Sequence, residues 1–216
     1  MRHMSKAEPP MPHSEEKMPF YALGVSLANT VGKNNLDTLL EEKELDLVIE
    51  GFCKTLKGEG VDAITVLNTF GPKLNEVLSS RQENIFERTK KAGEDFIENF
   101  MDCNEEAAKT DSGLVYYCMK EGDGELPTAA STVEVHYHGT LIDGTVFDSS
   151  VERGQTISFP LSNVIKGWQE GLAMMKEGGK ATLVIPSDLA YGDAGTGETI
   201  PAGATLKFEV ELFKVS

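Results

Sequence analysis

Hydrophobic residues in the first half of the chain recur at the spacing of an α-helix. Two series of them, in residues 20–31 and 45–56, are joined by the polar segment KNNLDTLLEEK. An apolar residue at every third or fourth position is typical of a helix with one buried face. The pattern therefore predicts two amphipathic helices, built on Phe20, Leu23, Gly24, Leu27, Ala28 and Val31, and on Leu45, Val48, Ile49, Phe52 and Leu56.

A third helix is predicted from about Lys73, directly after the helix-breaking Pro72, to about Ala107. Its apolar stripe is narrow and consists of Phe86, Gly93, Phe96, Ile97 and Phe100. So thin a stripe does not suit the centre of a monomeric core, so this helix should either bridge two domains or pack on a partner chain. Because two further short helices are too few for an independent core, we predict a homodimer held by this half.

Near residue 112 the spacing of apolar residues changes from the helical period to a period of two residues, which is typical of β-strands. In STVEVHYHG, Val133, Val135 and Tyr137 share one face, and ATLKFEVELF alternates in the same way. The segments GLVYYCMKEG, QTISFP and KATLVIP bring the number of short strands to about five, and IDG marks a tight hairpin turn. NVIKGWQEGLAMM is the one helical insertion. A sheet with one short helix on its apolar face is an α+β domain.

Composition narrows the possible partners and the compartment. The chain has 216 residues and a formal net charge of -15, which disfavours binding to nucleic acid or to an anionic membrane. Its three cysteines form no CxxC pair, so neither a disulfide framework nor a zinc site is indicated. With no signal-peptide core and no long apolar run, a cytoplasmic protein is expected, or a periplasmic or exported one if a native leader has been removed.

Four segments occur in the order that is typical of one enzyme family: VEVHYHGTLIDGTVFDSS, VIKGWQEGL, IPSDLAYG and IPAGATLKFEVELF. Together they resemble the FKBP-type peptidyl-prolyl cis-trans isomerases over residues 113–215. The first half, with YALGVSLA, ELDLVIEGF and GEDFIENF, is similar to the dimeric macrophage infectivity potentiator (Mip) and FkpA subfamily. The resemblance implies an N-terminal helical dimerisation domain, a long connecting helix and a C-terminal antiparallel half-barrel sheet around one short helix.

Domain boundaries follow from the pattern and the resemblance together. Residues 1–17 are expected to be a disordered leader or a remnant of cloning. Residues 18–72 are assigned to the helical dimerisation domain, 73–111 to the connecting helix and 112–216 to the isomerase domain.

The resemblance also implies a binding site for the proline ring. Trp168 would be its floor, and Asp148 and Tyr191 would be polar groups at its rim. Its apolar walls would be Tyr137, Phe147, Val164, Ile165 and Phe208, with Ile157, Phe159 and Ile200 as further contacts to substrate or macrolide. Ile157 and Phe159 stand where the family often has an aromatic pair, so the pocket should be slightly wider on that side.

Each polar residue of this set also has a plain structural interpretation. Asp148 precedes two serines and could cap a turn, and Tyr191 could be a structural turn residue. His136 and His138 share one strand face, but no carboxylate or cysteine completes a metal-ligand set at a diagnostic spacing. A solvated strand face is the preferred interpretation of the two histidines, and neither a metal nor a cofactor is expected.

Two functions remain open at this stage. The first is a homodimeric isomerase that accelerates Xaa-Pro isomerisation in folding proteins, with some chaperone activity. The second is a holdase or proline-binding adaptor in which catalysis is incidental. In either case the expected partners are Xaa-Pro segments of unfolded chains, a second copy of the chain, and macrolides such as tacrolimus and rapamycin, whose pipecolyl ring mimics proline.

Overall fold

The protein is described by a computed structural model that covers residues 17–32, 39–60, 62–196 and 199–216. The chain divides into two compact units, residues 1–78 and 79–216. Residues 1–16 of the expected leader and residues 33–38 of the polar linker lie outside the described residues. None of the helices in the described ranges combines the length and the hydrophobicity that a membrane span requires.

The described residues of the first unit are mainly helical. It contains α1 (Met18–Gly32), α2 (Glu42–Leu56) and the first part of α3 (Ala63–Cys103). A capping box opens α2, in which the backbone N–H of Glu41 donates to Oε2 of Glu44 at 2.9 Å. The periodic segments of the sequence therefore do form the first two helices, as predicted.

The third helix begins ten residues earlier than the sequence predicts. Its N-terminus is capped by Asp62, whose Oδ2 accepts the backbone N–H of Thr65 at 2.8 Å and the Thr65 hydroxyl at 2.7 Å. Pro72 therefore lies inside α3 rather than before it. The preceding residue is Gly71, which has no Cβ to collide with the proline ring, so the helical conformation before proline costs less here than usual. The helix also ends at Cys103, short of the predicted limits of 107 for the helix and 111 for the domain.

The second unit is built on one antiparallel sheet. Six of its seven strands are ordered β1-β2-β6-β7-β3-β4. The seventh, β5, pairs with β3, which also pairs with β4 and β7. The strands are β1 (Ala108–Lys109), β2 (Val115–Lys120), β3 (Thr132–Leu141), β4 (Val146–Ser149), β5 (Ile157–Pro160), β6 (Lys180–Ile185) and β7 (Leu206–Val215). The sheet confirms the α+β class, but it has two more strands than the five predicted. The additional strands, β1 and β4, have only two and four residues, too few for a hydrophobic period to reveal.

The predicted alternation in the long strands is confirmed by burial. In β3 the residues Val133, Val135 and Tyr137 are buried, and in β7 so are Leu206, Phe208, Val210 and Leu212. These side chains form the main core together with helix α4 (Lys166–Ala173), which lies over this face of the sheet. That helix carries Trp168 in its first turn.

The narrow apolar stripe of α3 packs on the sheet of its own unit. Ile97 is buried against Val115 of β2 and Val184 of β6, and Phe96 and Phe100 pack beside it. The helix itself begins in the first unit and ends in the second, so it connects the two units, which is the first of the two predicted alternatives. The other face of the sheet presents a small apolar patch, and a thin stripe is sufficient to cover it.

Candidate functional site

Helix α4 lies unusually close to the sheet because two of its residues are glycines. A Cβ on Gly167 would lie 2.3 Å from Cγ2 of Ile185, and a Cβ on Gly171 would lie 2.7 Å from Cδ2 of Leu183. Ile185 and Leu183 both belong to β6. Side chains in place of the two glycines would therefore push the helix away from this strand. The glycine before the tryptophan therefore sets the depth at which the indole lies.

An aromatic cluster surrounds that indole. The ring of Trp168 is 5% exposed and meets Phe208 of β7 at 5.1 Å and Tyr137 of β3 at 5.2 Å between centroids, both edge to face. Phe159 of β5 lies 5.4 Å away on another side. Phe147 of β4 extends the cluster by an edge-to-face contact with Phe208 at 5.4 Å. Four strands thus contribute one ring each to the cluster, and three of these rings contact Trp168 directly.

Room for two of these rings is left by Gly139 on β3. A Cβ there would lie 2.8 Å from Cζ of Phe147 and 2.8 Å from Cε1 of Phe208. The glycine that ends the motif HYHG is therefore a requirement of the site itself.

A polar network lies at one edge of the cluster. The hydroxyl of Tyr137 donates to Oδ2 of Asp148, and Nη1 of Arg153 donates to Oδ1 of the same carboxylate. A second guanidinium nitrogen, Nη2, donates to the Tyr137 hydroxyl oxygen at 2.9 Å, and the guanidinium lies 5.7 Å from the tyrosine ring centroid. The three side chains therefore form a closed triangle.

The network changes the proton affinities of its members. Burial raises the pKa of the Tyr137 hydroxyl, and its hydrogen bond to Asp148 adds to the increase. For Asp148 burial acts to raise the pKa, but the hydrogen bonds from Tyr137 and Arg153 outweigh it, and the pKa is lowered. Asp148 is therefore a carboxylate at neutral pH, and Tyr137 stays a hydroxyl.

The backbone that carries the network is fixed by the two serines after Asp148. Ser150 is fully buried, and its Oγ accepts the Tyr137 N–H at 2.8 Å while its own N–H donates to the Tyr137 carbonyl at 3.0 Å. Ser149 caps the next turn, because its Oγ accepts the N–H of Glu152 at 3.2 Å.

Most of the residues that the sequence singled out are brought together. Eight of the eleven lie in or against the main core cluster: Tyr137, Phe147, Phe159, Val164, Ile165, Trp168, Ile200 and Phe208. Asp148 joins them through the Tyr137 hydroxyl. The remaining two are outside the cluster, since Ile157 is 39% exposed and Tyr191 is 40% exposed. The Tyr191 hydroxyl has no hydrogen-bond partner within the described ranges.

Two contributors to the site were missed by sequence reasoning. Arg153 completes the polar network, and its signal was present: it is the only arginine that follows Arg88 in the sequence. Gln169, in the second turn of α4, donates from Nε2 to the carbonyl of Val164 at 2.7 Å and so holds the chain that enters the helix. No sequence pattern distinguishes it from a surface glutamine.

The two histidines on β3 each pair with a serine. Nδ1 of His136 lies 3.0 Å from Oγ of Ser150, and Nδ1 of His138 lies 3.0 Å from Oγ of Ser149. His136 also meets Phe213 edge to face at 5.7 Å. Within the described ranges no three histidine, cysteine or carboxylate side chains gather as a metal site would require.

Two family models match the chain. The model described as FKBP-type peptidyl-prolyl cis-trans isomerase matches residues 124–213, and the domain amino-terminal to FKBP-type peptidyl-prolyl isomerase matches residues 16–118. FkpA from Aeromonas hydrophila is 38% identical over 213 residues, which cover 94% of this chain and 77% of that protein. The 22 kDa FKBP-type isomerase from Escherichia coli K12 is 35% identical over 196 residues, covering 90% of this chain and 93% of the relative.

The chain belongs to the FKBP-type peptidyl-prolyl cis-trans isomerases. Among solved structures, FkpA from Escherichia coli matches with a TM-score of 0.70 and 34% identity, covering 94% of this chain and 97% of that one. A peptidyl-prolyl isomerase from Pseudomonas syringae matches with a TM-score of 0.56 and 38% identity over 60% of this chain and 95% of that one. The enzyme is thus an FKBP-type isomerase with the amino-terminal helical domain of its FkpA-like relatives.

Proposed function

We propose that the aromatic cluster over Trp168 is the proline pocket in which this FKBP-type isomerase accelerates rotation about Xaa-Pro bonds of folding proteins. The observation that carries the proposal is the edge-to-face contact of Tyr137 and Phe208 with one buried indole, beside a polar triangle. Aromatic rings on three sides suit a pyrrolidine ring, which is apolar and compact.

The chemistry needs no covalent step. An Xaa-Pro amide rotates slowly because its partial double bond opposes twisting, with a barrier of ~18–20 kcal/mol. Twisting removes the resonance and the charge separation of the amide, so an apolar pocket destabilises the planar form more than the twisted one. Holding the ring against Trp168 while the preceding carbonyl turns is then sufficient to lower the barrier.

The polar triangle would orient the substrate. A carboxylate can accept about four hydrogen bonds, and Tyr137 and Arg153 leave Asp148 with capacity for a backbone N–H of the substrate. Tyr191, exposed and with its hydroxyl unpaired within the described ranges, is proposed to donate to the rotating carbonyl. Ile157, Phe159, Val164, Ile165 and Ile200 are proposed to contact the residues around the proline or the ring system of a macrolide.

The experiment is an isomerisation assay on a short Xaa-Pro peptide, by NMR exchange or coupled proteolysis, with and without rapamycin. We expect catalysis that rapamycin abolishes, and a Trp168→Leu variant that loses both activity and macrolide binding. Phe213→Ala is the matched control, because this exposed aromatic on β7 lies outside the cluster. Full activity in Trp168→Leu would remove the pocket from the proposal.

A homodimer with chaperone activity is the second part of the proposal. It is supported by apolar side chains of the first unit that remain exposed, among them Leu47 at 66%, Leu56 at 70% and Phe70 at 64%. The alternative, a holdase or proline-binding adaptor with incidental catalysis, is favoured by the same surface. The test uses a client protein whose folding needs no prolyl isomerisation. If the chain suppresses aggregation of this client, and rapamycin does not change that suppression, the alternative is supported.

A further inference from the structure

We infer that Phe86 and Gly93 of α3 are positioning residues of the isomerase: they fix the base of the loop that delivers Ile200 to the aromatic cluster. The inference rests on the proposed role of that cluster as the proline pocket. All the residues involved belong to the second unit.

The base of the loop is the segment Gly203 to Thr205, and it lies directly on α3. A Cβ on Gly203 would lie 2.9 Å from Cδ2 and 3.3 Å from the carbonyl oxygen of Phe86, so the phenyl ring rests against this part of the backbone. A Cβ on Gly93 would lie 2.2 Å from Oγ1 and 2.9 Å from Cβ of Thr205. Phe86 and Gly93 are two helical turns apart and therefore share one face of α3.

Two short stretches of chain connect this base with the pocket. Toward the N-terminus, Ile200 lies three residues before Gly203 and is 6% exposed, within the same core cluster as Trp168. Its backbone pairs with Thr196 in both directions, with N···O distances of 3.0 and 3.2 Å. Toward the C-terminus, Phe208 lies three residues after Thr205. A shift of the base therefore reaches a proposed wall of the pocket on either side.

The loop is closed at its base. The backbone N–H of Gly203 donates to the carbonyl of Gly192 at 3.0 Å, so its two ends are joined at the point where Phe86 makes contact. The contact of α3 with Gly203 therefore positions the described part of the loop as a unit, and not Gly203 alone.

Beside this contact the packing is open. A cavity of about 360 Å³ is lined by Lys90, Glu94 and Thr205, together with Ser187 and Asp188 beyond β6. Thr205 thus lies between α3 and this cavity. The contact with α3 is therefore one of the interactions that hold the loop base at its present depth, beside the hydrogen bond from Gly203 to Gly192.

The test compares two truncations of an aromatic residue on the same helix. Phe86→Ala removes the ring from Gly203. Phe100→Ala removes a half-buried ring that meets Tyr117 of β2 edge to face at 6.2 Å, away from the loop. Both variants lose packing, so both should lower the midpoint of thermal unfolding. Only Phe86→Ala should raise KM for the Xaa-Pro peptide, by about threefold to tenfold, with kcat nearly unchanged.

A second readout does not depend on catalysis. The methyl resonance of Ile200 in a methyl-labelled sample, recorded well below the unfolding temperature, should shift in Phe86→Ala and stay in place in Phe100→Ala. An Ile200 resonance and a KM that are unchanged in Phe86→Ala would overturn the inference. A wild-type chain without isomerase activity would instead contradict the proposed function, and the Ile200 shift would still decide the positioning role.

The glycine provides an independent variant. Gly93→Ala should displace Thr205 and raise KM in the same way, whereas adding Thr205→Ala removes the oxygen atom at 2.2 Å and should restore part of the loss. A Gly93→Ala chain that is folded and has the wild-type KM and Ile200 resonance would also overturn the inference.

Discussion

The polar edge of the pocket depends on three side chains from two neighbouring segments, Tyr137 on β3 and Asp148 with Arg153 on and after β4. The Asp148–Arg153 ion pair is half exposed, with side-chain exposures of 44% and 49%, so its contribution to folding stability is small. Its main consequence is to keep Asp148 charged and the Tyr137 hydroxyl directed toward that carboxylate.

Replacement of Asp148 by alanine should therefore reduce activity and leave the fold intact. We expect kcat/KM for an Xaa-Pro peptide to fall about tenfold, because one hydrogen bond to a charged group contributes ~1.5 kcal/mol. The thermal midpoint should change little, since Arg153 still donates to the Tyr137 hydroxyl. Asp148→Asn is the matched control for size. An unchanged rate in the alanine variant would exclude Asp148 from the mechanism.

The lowered pKa of Asp148 gives a prediction for pH dependence. In the folded chain this carboxyl titrates below its ordinary value of 3.8, so it favours folding above that value and loses this contribution as pH falls through the folded pKa. Carbon-13 NMR of the carboxyl should show no titration between pH 5 and 8. Removing the guanidinium in Arg153→Gln should raise the pKa of Asp148. An identical titration in both proteins would contradict the network.

At the scale of elements, the site depends on how closely α4 approaches β6. Gly167 and Gly171 lie one turn apart and face Ile185 and Leu183, so the helix backbone rests directly on these two side chains of the strand. Because Trp168 is the next residue after Gly167, the distance between helix and strand fixes the height of the indole in the pocket.

Gly167→Ala should separate the two elements. A Cβ at 2.3 Å from Ile185 cannot be accommodated without movement, and overpacking of this kind costs ~1–3 kcal/mol. We expect a lower midpoint in urea unfolding and a changed emission spectrum of Trp168, the only tryptophan in the chain. Lys166→Ala, at the exposed neighbouring position, is the control and should leave both unchanged. Wild-type stability in Gly167→Ala would show that the contact is not tight.

On the scale of the whole molecule, the two units differ in how well they bury their apolar residues. The sheet unit buries the apolar face of its long strands, whereas α1, α2 and the first part of α3 leave many large apolar side chains in contact with solvent. Exposed apolar surface on this scale is typical of a protein interface.

The chain should therefore be a dimer in solution at micromolar concentration. Leu47→Glu combined with Phe70→Glu should produce monomers in sedimentation or light scattering while activity on a short peptide is retained. Leu126→Glu, 52% exposed in the second unit, is the control and should remain dimeric. A monomeric wild-type chain would contradict the proposal.

Much of the fold could be predicted from the sequence, because the spacing of apolar residues along a segment shows which face of a helix or strand is buried. The alternation around Tyr137 and Phe208 identified the two longest strands, and the helical spacing identified α1 and α2. The N-terminus of α3 was missed because the cap at Asp62 was outweighed by the usual effect of proline at Pro72. The family motifs supplied eleven expected site residues, and eight of them lie in or against one cluster.

Only the tertiary structure decided which side chains meet. Arg153 reaches Asp148 and Tyr137 because β4 and the turn after it return beside β3, and no spacing in the sequence states that. In the same way, Phe86 and Gly93 are ordinary positions on a helix until α3 is packed on the loop base at Gly203 and Thr205. Periodicity encodes which face of an element is apolar, but contacts between elements arise from packing over long separations along the chain.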